Sequence, residues 1–316
     1  MKMEKAFELF IADEGENHTE AWAKLLLPAS PYELLDAIEK SQVKPERPVY
    51  LEIQKYALEM EGLKPYIGVE RTLPSLYAFN KLAEKLVTLD DTQRLVLVER
   101  LRDEENGGHV PLPRVYDLAA GDEAFARLNL DSPEPDYTAL LEVWTGQRTD
   151  ANPVTLKLPV TLEKIGAVRD TLGAGSLSEI QYRCLDCLVP ALAKPMTAAQ
   201  EILLVNTAAQ TLKEAASEQL TKFKALLEAV GFTPLYNALE LYDKLGEYAL
   251  EPDIRCPEDA GRKELQTLVS HSEAEKIIPH VNLLTYGQQT MEEYHMVITG
   301  YGGFCRVDGA PFQTKS

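Results

Sequence analysis

Four cysteines in 316 residues (Cys184, Cys187, Cys256 and Cys305) are too few and too scattered for a disulfide framework. No apolar run approaches the roughly 18 residues that a membrane-spanning helix requires, so no membrane partner is expected. The opening segment, MKMEKAFELFIADEGENH, breaks its short apolar run at Glu8, Asp13, Glu14 and Glu16. It has neither the apolar stretch nor the cleavage site of a secretory signal, and a cytoplasmic protein is expected. Positive charge is also short: 32 Lys and Arg stand against 50 Asp and Glu, a formal net charge of −18. Direct nucleic-acid binding depends on Lys and Arg displacing phosphate counterions, and this balance argues against it. Catalytic signatures are missing as well. There is no Gly-x-Ser-x-Gly elbow and no Gly-rich loop followed by Lys-Ser/Thr. Gly173-Ala-Gly175 reads as a turn, and no helix is expected after Gly300-Tyr-Gly-Gly, so a dinucleotide site is not expected. The expectation is a protein with no catalytic residue, no metal and no cofactor.

What the chain does have is self-similarity. Ala-Phe-Glu-Leu-Phe-Ile (6–11) is answered by Leu-Leu-Glu-Val-Trp-Thr (140–145), which sets Glu8 against Glu142. Leu27-Pro28-Ala29-Ser30 is answered by Leu158-Pro159-Val160-Thr161, and Glu52-Ile53-Gln54 by Glu179-Ile180-Gln181. LYAFNKLAEKL (76–86) lies over ILLVNTAAQTL (202–212), pairing Asn80 with Asn206. The four matches keep their order.

Each copy follows the same local grammar. Phe7, Leu9 and Ile11 share one face of an opening strand. A second apolar run, Trp22 and Leu25 to Leu27, ends at Pro28. Ser30 then stands where an N-cap belongs, with Pro31 first in the helix and Glu33 three residues on. Leu34, Leu35 and Ile38 form its stripe; Thr161, Ile165 and Val168 repeat the pattern. Segments 49–60 and 178–189 read as further strands. Leu76, Phe79, Asn80, Ala83 and Leu86 have helical spacing, as do Leu203, Asn206, Ala209 and Leu212. Asp90 or Asp91 caps the next helix, with Leu95, Val98 and Leu101 inward; its counterpart starts near Ser217. Gly107-Gly108 and Gly231 end those helices. Trp22 and Trp144 are expected in the core.

The fold class is therefore α+β: an elongated multi-lobe chain in which small α+β domains alternate with small helical bundles. The expected lobes are 1–66 (α+β), 67–134 (helical), 135–198 (α+β), 199–252 (helical) and 253–316, which has no partner in the first half. Small lobes of one sign of charge favour a curved body with a quasi-repeating acidic face.

The order of segments resembles the ArdA-type antirestriction proteins of plasmids, phages and conjugative elements. The likeness rests on the opening strand, Trp22, Leu27-Pro28 and the helix after it; on LYAFNKLAEKLVTLDDTQRLVLVERL (76–101) and its second copy at 202–232; and on Ala260-Gly261-Arg262, Tyr286-Gly287 and Gly302-Gly303-Phe304 with Asp308-Gly309. That family has one N-terminal, one helical and one C-terminal lobe, whereas this chain duplicates the first two and is only moderately acidic. The resemblance implies a DNA mimic, in which carboxylates on rigid elements stand in for phosphates and occupy the DNA groove of a type I restriction–modification enzyme. Such a protein needs no catalytic residue. The implied partner is that complex or another defence complex, and both a homodimer and duplicated lobes replacing one are consistent with the likeness. The alternative is an inhibitor or adaptor that keeps the fold and binds another defence complex without mimicry.

Charge is uneven. Residues 1–150 hold 29 acidic and 17 basic residues, and 151–316 hold 21 and 15. The first copy is thus the expected partner-binding surface. Its candidate carboxylates are Asp13, Glu14, Glu16, Asp90, Asp91, Glu99, Asp103, Glu104, Glu105, Asp117, Asp122 and Glu123. The competing reading for any one cluster is a solvated face that keeps the protein soluble. Cys184-Leu-Asp-Cys187 is the one metal-like or redox-like motif. It aligns with Ala57-Leu58-Glu59-Met60 in the first copy, and a zinc site would need two more ligands from scattered Cys and His. Free thiols are the expected state. His18 and His109 are expected at the surface.

Overall fold

Phe7, Leu9 and Ile11 alternate with Glu8, Phe10 and Ala12, a two-residue period that suits a strand with one buried face. The computed structural model describes residues 5–14, 21–68, 70–104, 109–121, 125–146, 153–199 and 201–312. In it this segment is β1 (Phe7–Asp13), with the three apolar side chains inaccessible to solvent. β2 (Trp22–Leu27) and β3 (Val49–Tyr56) flank β1 on opposite sides, both antiparallel to it. Between them runs α1 (Pro31–Ser41). Its start is a capping box: the Ser30 hydroxyl accepts from the Glu33 N–H, and the Glu33 carboxylate accepts from the Ser30 N–H at 2.9 Å.

α2 (Leu73–Leu86) buries Leu76, Phe79, Asn80, Ala83 and Leu86, as their spacing predicts. Phe7 meets Phe79 edge-on at 6.3 Å and Tyr56 at 5.4 Å, so sheet and helices share one core. α3 (Asp91–Glu104) follows, then α4 (Leu112–Ala120). In α3 the buried residues are Leu97 and Leu101, while Leu95, expected inside, is 69% exposed. Four consecutive apolar residues (95–98) do not define a helix face; packing against α4 and a 3-10 turn at Leu58–Leu63 selects Leu97.

The second copy repeats the plan. β4 (Ala139–Thr145) is flanked by β5 (Val154–Leu158) and β6 (Ile180–Cys187), with α5 (Leu162–Thr171) capped by Thr161. Leu27–Pro28 and Leu158–Pro159 are both cis. Each sheet has a bulge at the same place: Gln54 is the extra residue opposite Glu8 and Leu9, and Leu185 the extra residue opposite Leu140 and Leu141. This register corrects two of the sequence matches. Glu8 corresponds to Leu140 and Phe10 to Glu142; Glu52 corresponds to Arg183 and Ile53 to Cys184. Cys184 and Cys187 therefore occupy the places of Ile53 and Tyr56, not of Ala57 and Met60. Backbone hydrogen bonding sets equivalence here, and identical residues nearby in the chain are coincidental.

α6 (Ala193–Ala198), α7 (Ile202–Glu214), α8 (Ser217–Val230) and α9 (Leu235–Asp243) complete the second copy. Leu203 is exposed; the stripe of α7 is Ile202, Val205, Ala208, Ala209 and Leu212. Gly231, with φ +74°, ends α8 as expected, whereas Gly107-Gly108 lies outside the described residues.

One side chain ties sheet lobe to helical lobe in both copies. The Asn80 amide accepts from the Ala29 N–H at 2.7 Å and donates to the Ala29 carbonyl at 3.0 Å. Asn206 does the same to Val160, at 2.9 and 3.0 Å. Each clamps the residue after the proline.

The last part of the chain forms β7 (Tyr248–Glu251), α10 (Pro257–Leu268), α11 (His271–Ile277), α12 (Leu283–Glu293), β8 (Val297–Thr299) and β9 (Gly302–Arg306), with the sheet ordered β7-β9-β8. α10 and α12 cross at Gly261 and Gly287. A Cβ on Gly287 would lie 1.6 Å from the Pro257 carbonyl oxygen. The chain divides into two compact units, Met1–Glu134 and Pro135–Ser316. In the second, one core runs from Ala139 through α7 and α8 to Phe304.

Candidate partner-binding surfaces

The candidate carboxylates among the described residues divide into three groups. Four are bound to arginine. Asp13, at the end of β1, faces Arg47 at 3.4 Å; Glu14 pairs with Arg71, Asp91 with Arg94 and Glu104 with Arg114. The Arg114 guanidinium holds the Glu104 carboxyl below its ordinary value. Two serve the backbone. Asp90 caps α3, accepting from the Gln93 N–H at 2.8 Å, and Asp117 accepts from the Phe125 N–H at 2.6 Å. Glu99 and Asp103, one turn apart on α3, are exposed. Glu16, Glu105, Asp122 and Glu123 lie outside the described residues.

A carboxylate already paired with a guanidinium presents little net charge to a partner, and such surface pairs add little stability. Of the candidate carboxylates, Glu99 and Asp103 are open to a cationic partner, and Glu59 and Glu61, on the 3-10 turn packed against α3, are exposed as well. Arg102 stands among them, its guanidinium raised first by its bond to Tyr66 and then by Glu99 and Asp103. The pairs Asp13–Arg47 and Glu14–Arg71 join segments far apart in the chain, whereas Asp91–Arg94 lies within one turn of α3.

The outward face of the first sheet carries a different surface. β2 turns Leu25 and Leu27 inward, so its other parity, Trp22, Lys24 and Leu26, faces out. Trp22, expected in the core, is 49% exposed. Its ring stacks on Phe10 (5.5 Å, 21°), which meets Tyr50 edge-on at 6.0 Å. Ala12 lies between Trp22 and Tyr50 in the cross-strand row and leaves both rings room to lean on Phe10. The Tyr50 hydroxyl donates to Glu52 at 3.0 Å, and the Arg71 guanidinium lies over the Tyr50 ring at 5.6 Å. Trp144, by contrast, is 8% exposed and donates its indole N–H to Gln181 at 3.1 Å.

The cysteine pair is inert by geometry. Cys184 and Cys187 are free and buried, both inward because the Leu185 bulge resets the strand's alternation. Burial pushes the Cys184 thiol up to about 12 and raises Cys187 as well. Among the described residues no group of three or more His, Cys, Asp or Glu is placed to hold a metal. His109 lies at the surface with Nδ1 3.2 Å from the Pro65 carbonyl; His18 is outside the described residues. A cavity of about 400 Å³ in the second unit is lined by Phe232, Asn237, Lys244, Tyr248, Arg306 and Phe312. Its arginine is already engaged by Asp308 at 2.7 Å and Glu247 at 3.5 Å.

Among the described residues no helix is long and apolar enough to cross a membrane. No protein-family model and no curated protein matches this chain.

Proposed function

We propose that this chain is a non-enzymatic anti-defence protein of the ArdA type, which binds a type I restriction–modification enzyme as an acidic mimic of DNA. The observation that carries the reading is the charge of the first unit: residues 1–134 hold 26 acidic and 16 basic residues. The order of sheet lobe, helical lobe and a last lobe with its own sheet supports the resemblance, while the duplication of the first two departs from it. The mimicking carboxylates are then the unpaired ones, Glu59, Glu61, Glu99 and Asp103, rather than those held by arginine. Glu99 and Asp103 are one helical turn apart, about 5–6 Å at Cβ, and their longer side chains splay toward a phosphate-like spacing.

The test is competition: purified protein, a type I enzyme and its DNA, with binding and cleavage measured over a range of salt. Inhibition that weakens as salt rises is expected. No competition at any salt concentration rejects the reading. Glu99→Lys with Asp103→Lys is the informative variant, because reversing Asp90 would also remove the cap of α3 and unsettle the helix itself.

A second reading is favoured by a specific observation, the arginine pairing of Asp13, Glu14, Asp91 and Glu104. A chain that neutralises four of its carboxylates in this way suits an inhibitor or adaptor of another defence complex, acting through a mixed surface without mimicry. Under that reading the Glu99/Asp103 reversal leaves binding intact, and a pull-down from a restriction-proficient lysate recovers a complex other than the restriction enzyme.

A further inference from the structure

Trp22 is the largest side chain that the first sheet turns outward, and it is 49% exposed. The second sheet is the internal control. On the same scaffold Phe10 is replaced by Glu142 and Tyr50 by Gln181, and Glu142 pairs with Arg183 at 3.3 Å. That sheet forms with the same strand order and the same bulge, and its own outward aromatic, Trp144 in the place of Ala12, is covered and bonded to Gln181. A half-open tryptophan stacked on a phenylalanine is therefore particular to the first sheet.

The rings that are present already show what they accept. Arg71 lies over the Tyr50 ring, and Tyr50 donates its proton toward the Glu52 carboxylate, which enriches the ring's face. Trp22 is the better acceptor of a cation by its larger π-system. One side of it is stacked on Phe10, and half of its surface is open. Among the described residues no cation covers it and its indole N–H has no hydrogen-bond partner. The unit around it is acidic, with 26 acidic against 16 basic residues. An approaching partner is therefore selected for positive charge, and the ring then discriminates a flat guanidinium from a hydrated ammonium.

We propose that the outward face of the first sheet captures an arginine side chain of a basic protein partner, stacked on the open face of Trp22 and extending the Trp22–Phe10 stack. This deepens the proposed function: it rests on a basic, DNA-handling partner and adds a contact that does not imitate phosphate.

The chain has two tryptophans, one exposed and one buried, so a change in exposed-tryptophan emission reports Trp22. The full chain is titrated with a short peptide of alternating Arg and Gly, and with the matching Lys peptide. The Arg peptide is expected to shift and quench Trp22 emission and to bind more tightly than the Lys peptide. Trp22→Ala should weaken the Arg peptide by about 2- to 30-fold, with Trp22→Phe in between. Circular dichroism checks that both variants remain folded. Equal affinity of wild type and Trp22→Ala for the Arg peptide overturns the proposal, as does emission that stays unmoved at saturation. The two proposals fail separately. If the wild type does not compete with DNA for the restriction enzyme, the proposed function falls; if wild type and Trp22→Ala compete equally well, only the arginine contact falls.

Discussion

Replacing Asn80 by Ala removes a part-buried bond to Glu84 and, more costly, two buried hydrogen bonds to the N–H and the carbonyl of Ala29, at a site where Asn80 is 4% and Ala29 6% exposed. Water has no room to replace the buried two. Each orphaned buried polar group costs about 1–3 kcal/mol, so the two together cost about 2–6 kcal/mol. Scaled to the entropy of unfolding of a unit this size, the first unit should melt about 7–21 °C lower. Asn206→Ala is the control within the same molecule. It breaks the same pair of bonds to Val160, but Asn206 and Val160 are only partly buried and solvent can enter. A loss of about 0.5–1.5 kcal/mol is expected, or a few degrees in the second unit. Calorimetry of the full chain resolves the two, since units of a two-unit chain need not melt together. A shift for Asn206→Ala equal to or larger than that for Asn80→Ala refutes the reasoning, because both positions make the same pair of backbone bonds, and Asn80 is the more buried and adds a third bond, to Glu84 at 3.3 Å. Asn80→Asp should be nearly as harmful as Ala, since a carboxylate keeps the bond to the Ala29 N–H yet faces the carbonyl with no proton to give.

Gly287→Ala places a methyl group 1.6 Å from the Pro257 carbonyl oxygen, a backbone atom that no rotamer change removes; a loss at or above the 1–3 kcal/mol typical of overpacking (about 3 kcal/mol) is expected by thermal melting, and an unchanged midpoint contradicts it. Iodoacetamide at about pH 8 should label half-buried Cys305 before Cys184 or Cys187 in the native chain, and peptide mass mapping that finds Cys184 modified first sinks the inert-thiol account. Glu104, Asp136 and Asp308 are held below the ordinary carboxylate range by Arg114, Lys157 and Arg306. Their folded values lie below their unfolded ones, so their stabilisation is present above about pH 4 and is lost as pH falls through the lower folded values. All three pairs are exposed, so the acid-side fall in melting temperature they contribute should be small and should shrink at high salt; a salt-independent slope points to buried groups instead.

Much of the fold could be read from residue order because its causes are local. The alternation of Phe7, Leu9 and Ile11, the Ser30-Pro31-Glu33 cap and the 3- and 4-residue spacing from Leu76 to Leu86 each act within one or two turns of chain. The parity that puts Leu25 and Leu27 inward also puts Trp22 outward, and it outweighs the general tendency of tryptophan to be buried. The bulges were hidden, since Gln54 and Leu185 share no residue preference and one extra residue is visible only in the ladder. The misplaced matches at Glu142 and Glu179 have another cause: identical residues lie one or a few positions from the true equivalents, and only the ladder tells them apart. The candidate surface was the least legible part. Whether Glu14 is free depends on where Arg71 falls, 57 residues away in the chain, and no short window of sequence holds both.

The helix crossing at Gly261 and Gly287 has a mechanical consequence. Most helix pairs touch through side chains, which act as a compliant layer and let one helix slide a little over the other. Here backbone meets backbone, and repulsion rises over tenths of an ångström. Pro257, against which Gly287 rests, directly follows Cys256 and Arg255, and the Arg255 guanidinium grips the carbonyls of Pro252 at 2.8 Å and Gly300 at 2.6 Å. A push on the middle of α12 is therefore delivered, with little cushioning, to the start of α10 and onward to the turn between β8 and β9. The C-terminal lobe behaves as a stiff lever whose fulcrum is two residues without side chains.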